Sequence, residues 1–457
     1  MLIDHDIFIE ELPPDLTPDK LPSFLFDLPH FLLFESSLPG EKARYSIAAW
    51  DPVVTLELKN SDPDFLKNLR HSLAENKRTR HPSLPFTGGW MGYLGYEAYP
   101  LTQNKVPPRT PELCPQGWFG YYDQFYFYDH WEKRACFVSL RGPDGSQGRG
   151  NLPEILHSQG DRHALRARDD KRVSQGSEIN SLSHFLQSNF EKVAYLDAIN
   201  KIKNLINQGD CYQVNLAQRF TSPISSSPYD LYKNLRKESP APFSAFLNLG
   251  DTQILSSSPE SFLNVDGQEV ITRPIKGTRP RSQTPESDLQ FQHELKKSSK
   301  DHAELLMITD LERNDLGRVC VPGSIQVTQL REIESFAQVH HQVSTIEGTL
   351  SPDKDVIDLL QATFPGGSIT GAPKIRAMQI IHDLEPHPRN VYCGAIGYFS
   401  CDGQAQFNIA IRTMVLKDKQ AYFWSGGGIV SDSNPESEYG ETLVKAKGLM
   451  QALQISD

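Results

Sequence analysis

Ser258-Pro-Glu-Ser-Phe262 and, ten residues on, Thr272-Arg-Pro-Ile-Lys-Gly-Thr-Arg-Pro-Arg281 are the stretch on which the reading of this chain turns. It places Glu260 sixteen positions ahead of Lys276, with Gly277 and Thr278 directly behind the lysine. Between them, Phe262-Leu-Asn-Val-Asp-Gly-Gln-Glu-Val-Ile-Thr272 has apolar runs interrupted at Asp266-Gly267, which predicts a β-hairpin. Such a hairpin returns Glu260 and Lys276 side by side on two antiparallel strands. An acid beside an amine on rigid strands can protonate a leaving group while a nucleophile attacks. An isolated Glu/Lys pair is more often a surface ion pair, so the rest of the chain has to decide.

Working outward, the bulk properties narrow the field. The 457 residues suffice for two or three ordinary domains or one large one, and 38% hydrophobic content is ordinary for a globular protein. A formal charge of -11 without a basic run argues against nucleic acid or an anionic membrane surface as partner. Apolar runs such as Phe31-Leu-Leu-Phe34 are too short to span a bilayer, and the N-terminus lacks the features of a signal peptide. Six cysteines without CxxC spacing suggest neither a zinc site nor a disulfide framework. A reduced, cytoplasmic protein is expected.

Short strands are predicted at Phe31–Phe34, Tyr45–Trp50, Val53–Leu58 and Gln124–Tyr128, with turns at Leu38-Pro-Gly40 and Asp62-Pro63. Residues 141–189 are polar and turn-rich and read as a linker or loop between an N-terminal region (8–140) and a second region (190–450). Tyr195, Ile199, Ile202 and Ile206 recur at helical spacing ahead of Gly209, and Asp210–Phe220 alternates as a strand. Asn408-Ile-Ala-Ile-Arg-Thr413 also reads as one strand, whose Arg412 needs a polar destination. Ser425-Gly-Gly-Gly-Ile429 reads as the end of the strand Gln420–Trp424. Phe364-Pro-Gly-Gly-Ser-Ile-Thr-Gly-Ala-Pro-Lys374 leads into a helix and offers backbone N–H groups to an anion.

Two helices carry acids three residues apart and so on one face: Asp301 and Glu304, then Glu438 and Glu441 with Lys445 one turn on. A single such pair is normally solvated. Two pairs facing each other make an oxygen-rich site for Mg²⁺.

Taken in order, Gly209-Asp-Cys-Tyr-Gln-Val-Asn-Leu216, Ser258-Pro-Glu260, Asp310-Leu-Glu-Arg-Asn-Asp-Leu-Gly-Arg318, Gly366-Gly-Ser-Ile-Thr-Gly-Ala-Pro-Lys374, Ile411-Arg-Thr413 and Gly426-Gly-Gly-Ile429 resemble the chorismate-utilising enzymes. The resemblance is strong over 190–450 and weaker over 8–140. It implies an α+β fold, a large antiparallel β-sandwich flanked by helices. Pro274-Ile-Lys-Gly-Thr278 is similar to the aminodeoxychorismate synthase branch, where anthranilate synthases carry alanine in place of the lysine. Gln213 stands where the hydrating members carry a lysine base.

By that resemblance the activity is synthesis of 4-amino-4-deoxychorismate from chorismate and ammonia, on the way to para-aminobenzoate and folate. Lys276, held neutral by burial and by Mg²⁺, would be the nucleophile, Glu260 the general acid, and His341 would lie near the C4 hydroxyl. Glu304 and Glu438, supported by Asp301 and Glu441, would hold Mg²⁺ against the ring carboxylate, which Gly277, Thr278 and Lys445 would also contact. Tyr392, Arg412 and Gly426 would receive the enolpyruvyl carboxylate. Gln342 stands where leucine is usual. The chain has no glutaminase signature, so ammonia would come from a glutamine amidotransferase subunit. Glu35, Ser36, Arg44, Tyr45 and Ser46 resemble a tryptophan-binding stretch and mark a candidate tryptophan pocket. The alternatives are anthranilate synthase component I and a catalytically inactive, tryptophan-binding regulatory subunit.

Overall fold

The computed structural model describes residues 7–38, 44–140, 186–282, 284–335 and 339–455. Pro39-Gly40 of the expected turn and 141–185 of the expected linker lie outside the described residues.

Two antiparallel sheets face each other. One has 12 strands and runs from the N-terminal strands, through Phe243–Asn248, Thr252–Ser258, Thr413–Lys417, Gln420–Ile429 and Gln213–Pro223, to Gly371–Ala372. The other has 10 and carries Ser261–Asp266, Glu269–Arg273, Ile275–Pro280, Val339–Thr349, Ala395–Ser400, Ala405–Ile409 and Gly89–Leu94. Strands from both sequence regions share both sheets: Leu32–Glu35 pairs with Phe243–Asn248, and Gly89–Leu94 with Ala395–Ser400. The larger core, including Trp90, Tyr93, Phe119 and Phe407, lies between the sheets. A second core lies under helices Pro228–Glu238 and Pro435–Ala452, where Leu231, Leu235, Ala446 and Leu449 meet Phe220 and Phe423 of the larger sheet. Among the described residues no helix is long and apolar enough to cross a membrane.

The hairpin forms as expected, with Val265 opposite Val270 across Asp266-Gly267. Its consequence differs. Glu260 precedes the first strand, while Lys276 lies on a third strand, Ile275–Pro280, which pairs with Val339–Thr349. Glu260 and Lys276 are therefore not cross-strand partners.

Two other strand expectations also change. The chain leaves the second sheet at Ile409 and enters the first at Thr413, with Arg412 in the left-handed region (φ 50°) between them. Alternation over Asn408–Thr413 thus spans a crossover rather than one strand. The glycines of 426–428 do not end a strand; Gln420–Ile429 runs through them, paired along its length with Gln213–Pro223. Gly426 is required there, since a Cβ would stand 2.4 Å from the Leu216 carbonyl oxygen on the paired strand.

One buried arginine gathers several of these elements. Arg389 is 1% exposed and bonds both oxygens of Glu385, at 2.7 and 2.9 Å. It also donates to the carbonyls of Asn215 (2.7 Å) and Ile369 (3.0 Å). The carboxylate of Glu97 accepts the backbone N–H groups of Arg389 and Asn390, each at 2.7 Å. Removing one partner leaves the other charge buried and uncompensated. Arg389→Met is therefore expected to cost about 3–5 kcal/mol of stability, measured by urea unfolding; a cost under about 1 kcal/mol would show the pair to be dispensable.

Candidate active site

The site forms where the chain twice crosses between the sheets. One crossing, Pro259-Glu260, follows Thr252–Ser258; the other, Ala410–Arg412, precedes Thr413–Lys417. They are stitched together: Ile409 N–H donates to Glu260 O (3.0 Å), Ser258 Oγ to Ile409 O (2.6 Å) and Ser257 N–H to Arg412 O (3.1 Å). Glu260 is buried, and burial raises its pKa above the usual carboxylate value against the pull of Ser368, Lys276 and the Ile275 N–H. That N–H lies 3.3 Å from Oε1. A carboxyl kept protonated to higher pH suits a general acid.

Lys276 is half-buried, and its Nζ donates to the carbonyl of Ser368 at 2.8 Å. Its register partner is Gln342, and a bulge at Gly277 (φ 76°) then brings Thr278 opposite His341. Glycine is needed at the bulge, because a Cβ would lie 2.8 Å from Leu295 and 3.0 Å from Asp301. Thr278 Oγ1 and His341 Nδ1 are 2.9 Å apart. Burial, then the charge of Arg412, pushes the His341 imidazole down to about 3, so it is neutral at ordinary pH. It can hydrogen-bond to a substrate but does not supply a proton as imidazolium.

Arg412 is half-buried, and the burial lowers its pKa. Among the described residues no ion pair or side-chain hydrogen bond ties up its guanidinium, so it is a ready receiver for a carboxylate. Tyr392 is buried and stacks on Trp424, with centroids 6.2 Å apart.

The four acids occupy two helix starts. Ser298 caps Ser299–Leu316 by accepting the Asp301 N–H at 3.2 Å, and Asn434 caps Pro435–Ala452 by accepting the Ser437 N–H at 3.1 Å. Among the described residues no group of three or more His, Cys, Asp or Glu side chains is placed to hold a metal ion. Each acid has instead found a base. Arg279 holds Asp301 (3.0 Å) and Lys445 holds Glu441 (2.6 Å). Lys300 stands between Glu438 (3.0 Å) and Glu304 (4.0 Å). Burial raises the pKa of Glu304. Gln213 Nε2 is 3.4 Å from Glu304 Oε2, and Lys445 Nζ is 3.3 Å from Gly426 O.

Sequence reasoning missed Ser368, Arg279, Lys300 and the Arg389 network. Lys300 lay one residue from a named acid, and its position in the first helical turn was the available signal. Lys374, in the motif expected to offer N–H groups to an anion, is instead buried against Asp315 and the Thr363 carbonyl. The Lys374–Asp315 ion pair ties the Ser299–Leu316 helix to the start of the Lys374–Leu384 helix.

Of the candidate tryptophan-pocket residues, Glu35, Arg44 and Tyr45 line a cavity of about 690 Å³ between the sheets. Ser36 and Ser46 lie outside its lining; Ser46 Oγ contacts His130 Nε2 (2.8 Å). Arg44 is paired with Asp129, whereas Glu35 bonds Tyr232 and Arg236 through Oε1 and leaves Oε2 buried without a partner.

His341 gives a pH test. The unfolded chain takes up a proton near 6.5 and the folded imidazole only near 3, so the native state binds fewer protons between those values. Its contribution to stability is complete above about pH 6.5 and is lost as pH falls, by up to about 1.4 kcal/mol per pH unit. His341→Gln is expected to lose stability less steeply in urea titrations between about pH 7 and about pH 5. Parallel slopes would contradict the buried neutral imidazole.

Residues 30–451 match the chorismate binding enzyme family. The chain is 37% identical over 445 residues to aminodeoxychorismate synthase component 1 of Bacillus subtilis, covering 94% of this chain and 92% of the relative. It is also 37% identical over 437 residues to anthranilate synthase component 1 of Streptomyces coelicolor, covering 93% and 83%. The crystal structure of anthranilate synthase component I from Streptococcus pneumoniae superposes with a TM-score of 0.75 at 32% identity, covering 90% of this chain and 93% of that one. With the family match spanning 30–451 and these relatives covered almost end to end, the chain belongs to the chorismate-binding enzyme family.

Proposed function

We propose that the chain converts chorismate and ammonia to 4-amino-4-deoxychorismate, with Lys276 as a covalent nucleophile. The observation that carries this reading is the placement of Lys276 beside the buried acid Glu260, with the Lys276 amine 2.8 Å from the Ser368 carbonyl. The Bacillus subtilis relative bears that activity in its name, and the Streptomyces coelicolor relative bears the ortho-aminating alternative. Position 276 favours the first, because alanine there would leave ammonia to attack C2 directly.

Direct replacement of the C4 hydroxyl is difficult, and two allylic steps divide it. Lys276 Nζ bonds to ring C2, the double bonds shift, and the C4–O bond breaks. Glu260 gives its proton to the departing hydroxyl, which leaves as water. Ammonia then bonds to C4, the double bonds shift back, and the C2–N bond breaks to return the lysine amine. The new C4 ammonium gives one proton back to Glu260. Arg412, with Tyr392 and the Gly426 backbone, holds the enolpyruvyl carboxylate, while Gly277, Thr278 and Lys445 contact the ring carboxylate. His341 orients the C4 hydroxyl as a neutral partner.

Glu304 and Glu438 fit Mg²⁺: they are hard oxygen donors from two helices that already converge on a single cation, with Asp301 and Glu441 one layer out. Bound there, the ion would anchor and neutralise the ring carboxylate. Ammonia comes from a glutamine amidotransferase subunit, and the product serves para-aminobenzoate and folate synthesis in the cytoplasm. The proposal extends to tryptophan in the cavity between the sheets, where the unpartnered oxygen of Glu35 offers a carboxylate to an ammonium.

The test is mass spectrometry of protein incubated with chorismate and Mg²⁺ but no ammonia, which should find chorismate less water attached to Lys276. With ammonia, Lys276→Ala should lose the adduct and release ortho-aminated product. Unaltered para product at full rate from that variant would sink the nucleophile assignment.

A further inference from the structure

Among the described residues Lys300 is the one side chain paired with both acids proposed to carry the metal. It stands in the first turn of the Ser299–Leu316 helix, one residue before Asp301. Its ammonium lies 3.0 Å from Glu438 Oε1 on the facing helix and 4.0 Å from Glu304 Oε1 one turn along its own. Glu438 is 4% exposed and has one further partner, Ser433 Oγ at 2.6 Å. A buried carboxylate of this kind is costly to leave without a cation. Lys300 itself is 46% exposed, on a flexible four-carbon stem, so its ammonium has a path to solvent that the glutamates lack. The neighbouring bases differ: Arg279 and Lys445 each hold one outer acid, Asp301 and Glu441, and neither is paired with Glu304 or Glu438.

We propose that Lys300 is a displaceable internal cation, which neutralises Glu304 and Glu438 in the metal-free protein and swings out when a divalent ion enters. The inference rests on the Mg²⁺ reading of the site given above. An ammonium and a metal ion compete for the same oxygens, so the apparent affinity for metal is reduced by the strength of the ammonium contact. The lysine also keeps two helix starts together that would otherwise present like charges to each other across the site. The metal-free protein thus retains the arrangement into which the ion later fits.

The experiment is calorimetric titration of Mg²⁺ into the full-length protein without substrate, comparing wild type, Lys300→Met and Lys300→Arg, with melting temperatures in chelator and in excess Mg²⁺. Lys300→Met should bind Mg²⁺ about tenfold more tightly than wild type, which corresponds to about 1.4 kcal/mol. It should also melt below wild type in chelator and gain more from added Mg²⁺. Lys300→Arg, which keeps the charge, should bind no more tightly than wild type. Equal or weaker binding by Lys300→Met, with wild type binding Mg²⁺ normally, overturns the inference and leaves the metal reading standing. Absence of Mg²⁺ binding by both wild type and Lys300→Met overturns the metal reading and the inference with it. A Lys300→Met protein that fails to fold even in excess Mg²⁺, beside a folded Lys300→Arg, makes the lysine a structural counter-charge and also overturns the inference.

Discussion

The guanidinium of Arg389 is the contact on which the site's assembly depends. Its donors reach Glu385, at the end of the Lys374–Leu384 helix, the carbonyl of Asn215 in the Gln213–Pro223 strand and the carbonyl of Ile369. The same Glu385 carboxylate accepts the Ala217 N–H at 2.9 Å. Each contact fixes a backbone that delivers something to the site. Asn215 lies two residues from Gln213, Ile369 follows Ser368, and Arg389 itself lies three residues before Tyr392. A buried charge pair is weak evidence of net stability, since desolvation offsets much of its attraction. Its contribution here is geometric: a fork of planar donors has few ways of being satisfied, and those ways fix the relative positions of three chain segments.

That role also explains the limits of sequence reading. The hairpin at Asp266-Gly267, the helix ahead of Gly209 and the acids at i and i+3 were legible because each rests on contacts within a dozen or so residues, where period and turn chemistry speak directly. Arg389 was not legible. The carbonyl its guanidinium reaches at Asn215 is 174 residues away in sequence and the Glu97 carboxylate that holds its N–H is 292 away, and a Pro-flanked arginine after a helix looks like a solvated turn residue. The misreading of Asn408–Thr413 has a different cause. Residues on either side of the crossover alternate properly for their own sheets, so the pattern runs on while the backbone turns away at Arg412. The glycines of 426–428 misled in the opposite direction. Glycine usually weakens a strand, yet at Gly426 the backbone of the paired strand, at Leu216 and Ala217, stands too close for a side chain.

Resemblance to a family named a set of candidate site residues but gave no account of how their charges balance. Asp301, Glu304, Glu438 and Glu441 read as an open acidic cluster in sequence; in space each is met by Arg279, Lys300 or Lys445. Those bases sit within a turn of the acids or on an adjacent strand. Nothing in spacing alone separates them from solvated helix charges.

This balance bears on how a chain with a formal charge of -11 admits a substrate bearing two carboxylates. Long-range attraction from the whole molecule is unavailable, so the pull must be local. On one side the acids are already neutralised by their own bases, and in the proposed reaction the approaching ring carboxylate meets Lys445 and a bound metal rather than bare carboxylates. On the other, Arg412 is left without an acidic partner among the described residues, and burial makes its charge costly until an anion arrives. The protein spends its desolvation penalty there before substrate binds, and a carboxylate placed against Arg412 recovers it. A substrate gripped at its two ends in this way can turn little between them. In the proposed reaction the ring is then presented to Lys276 on one fixed side, which is what a reaction whose outcome depends on C2 against C4 requires.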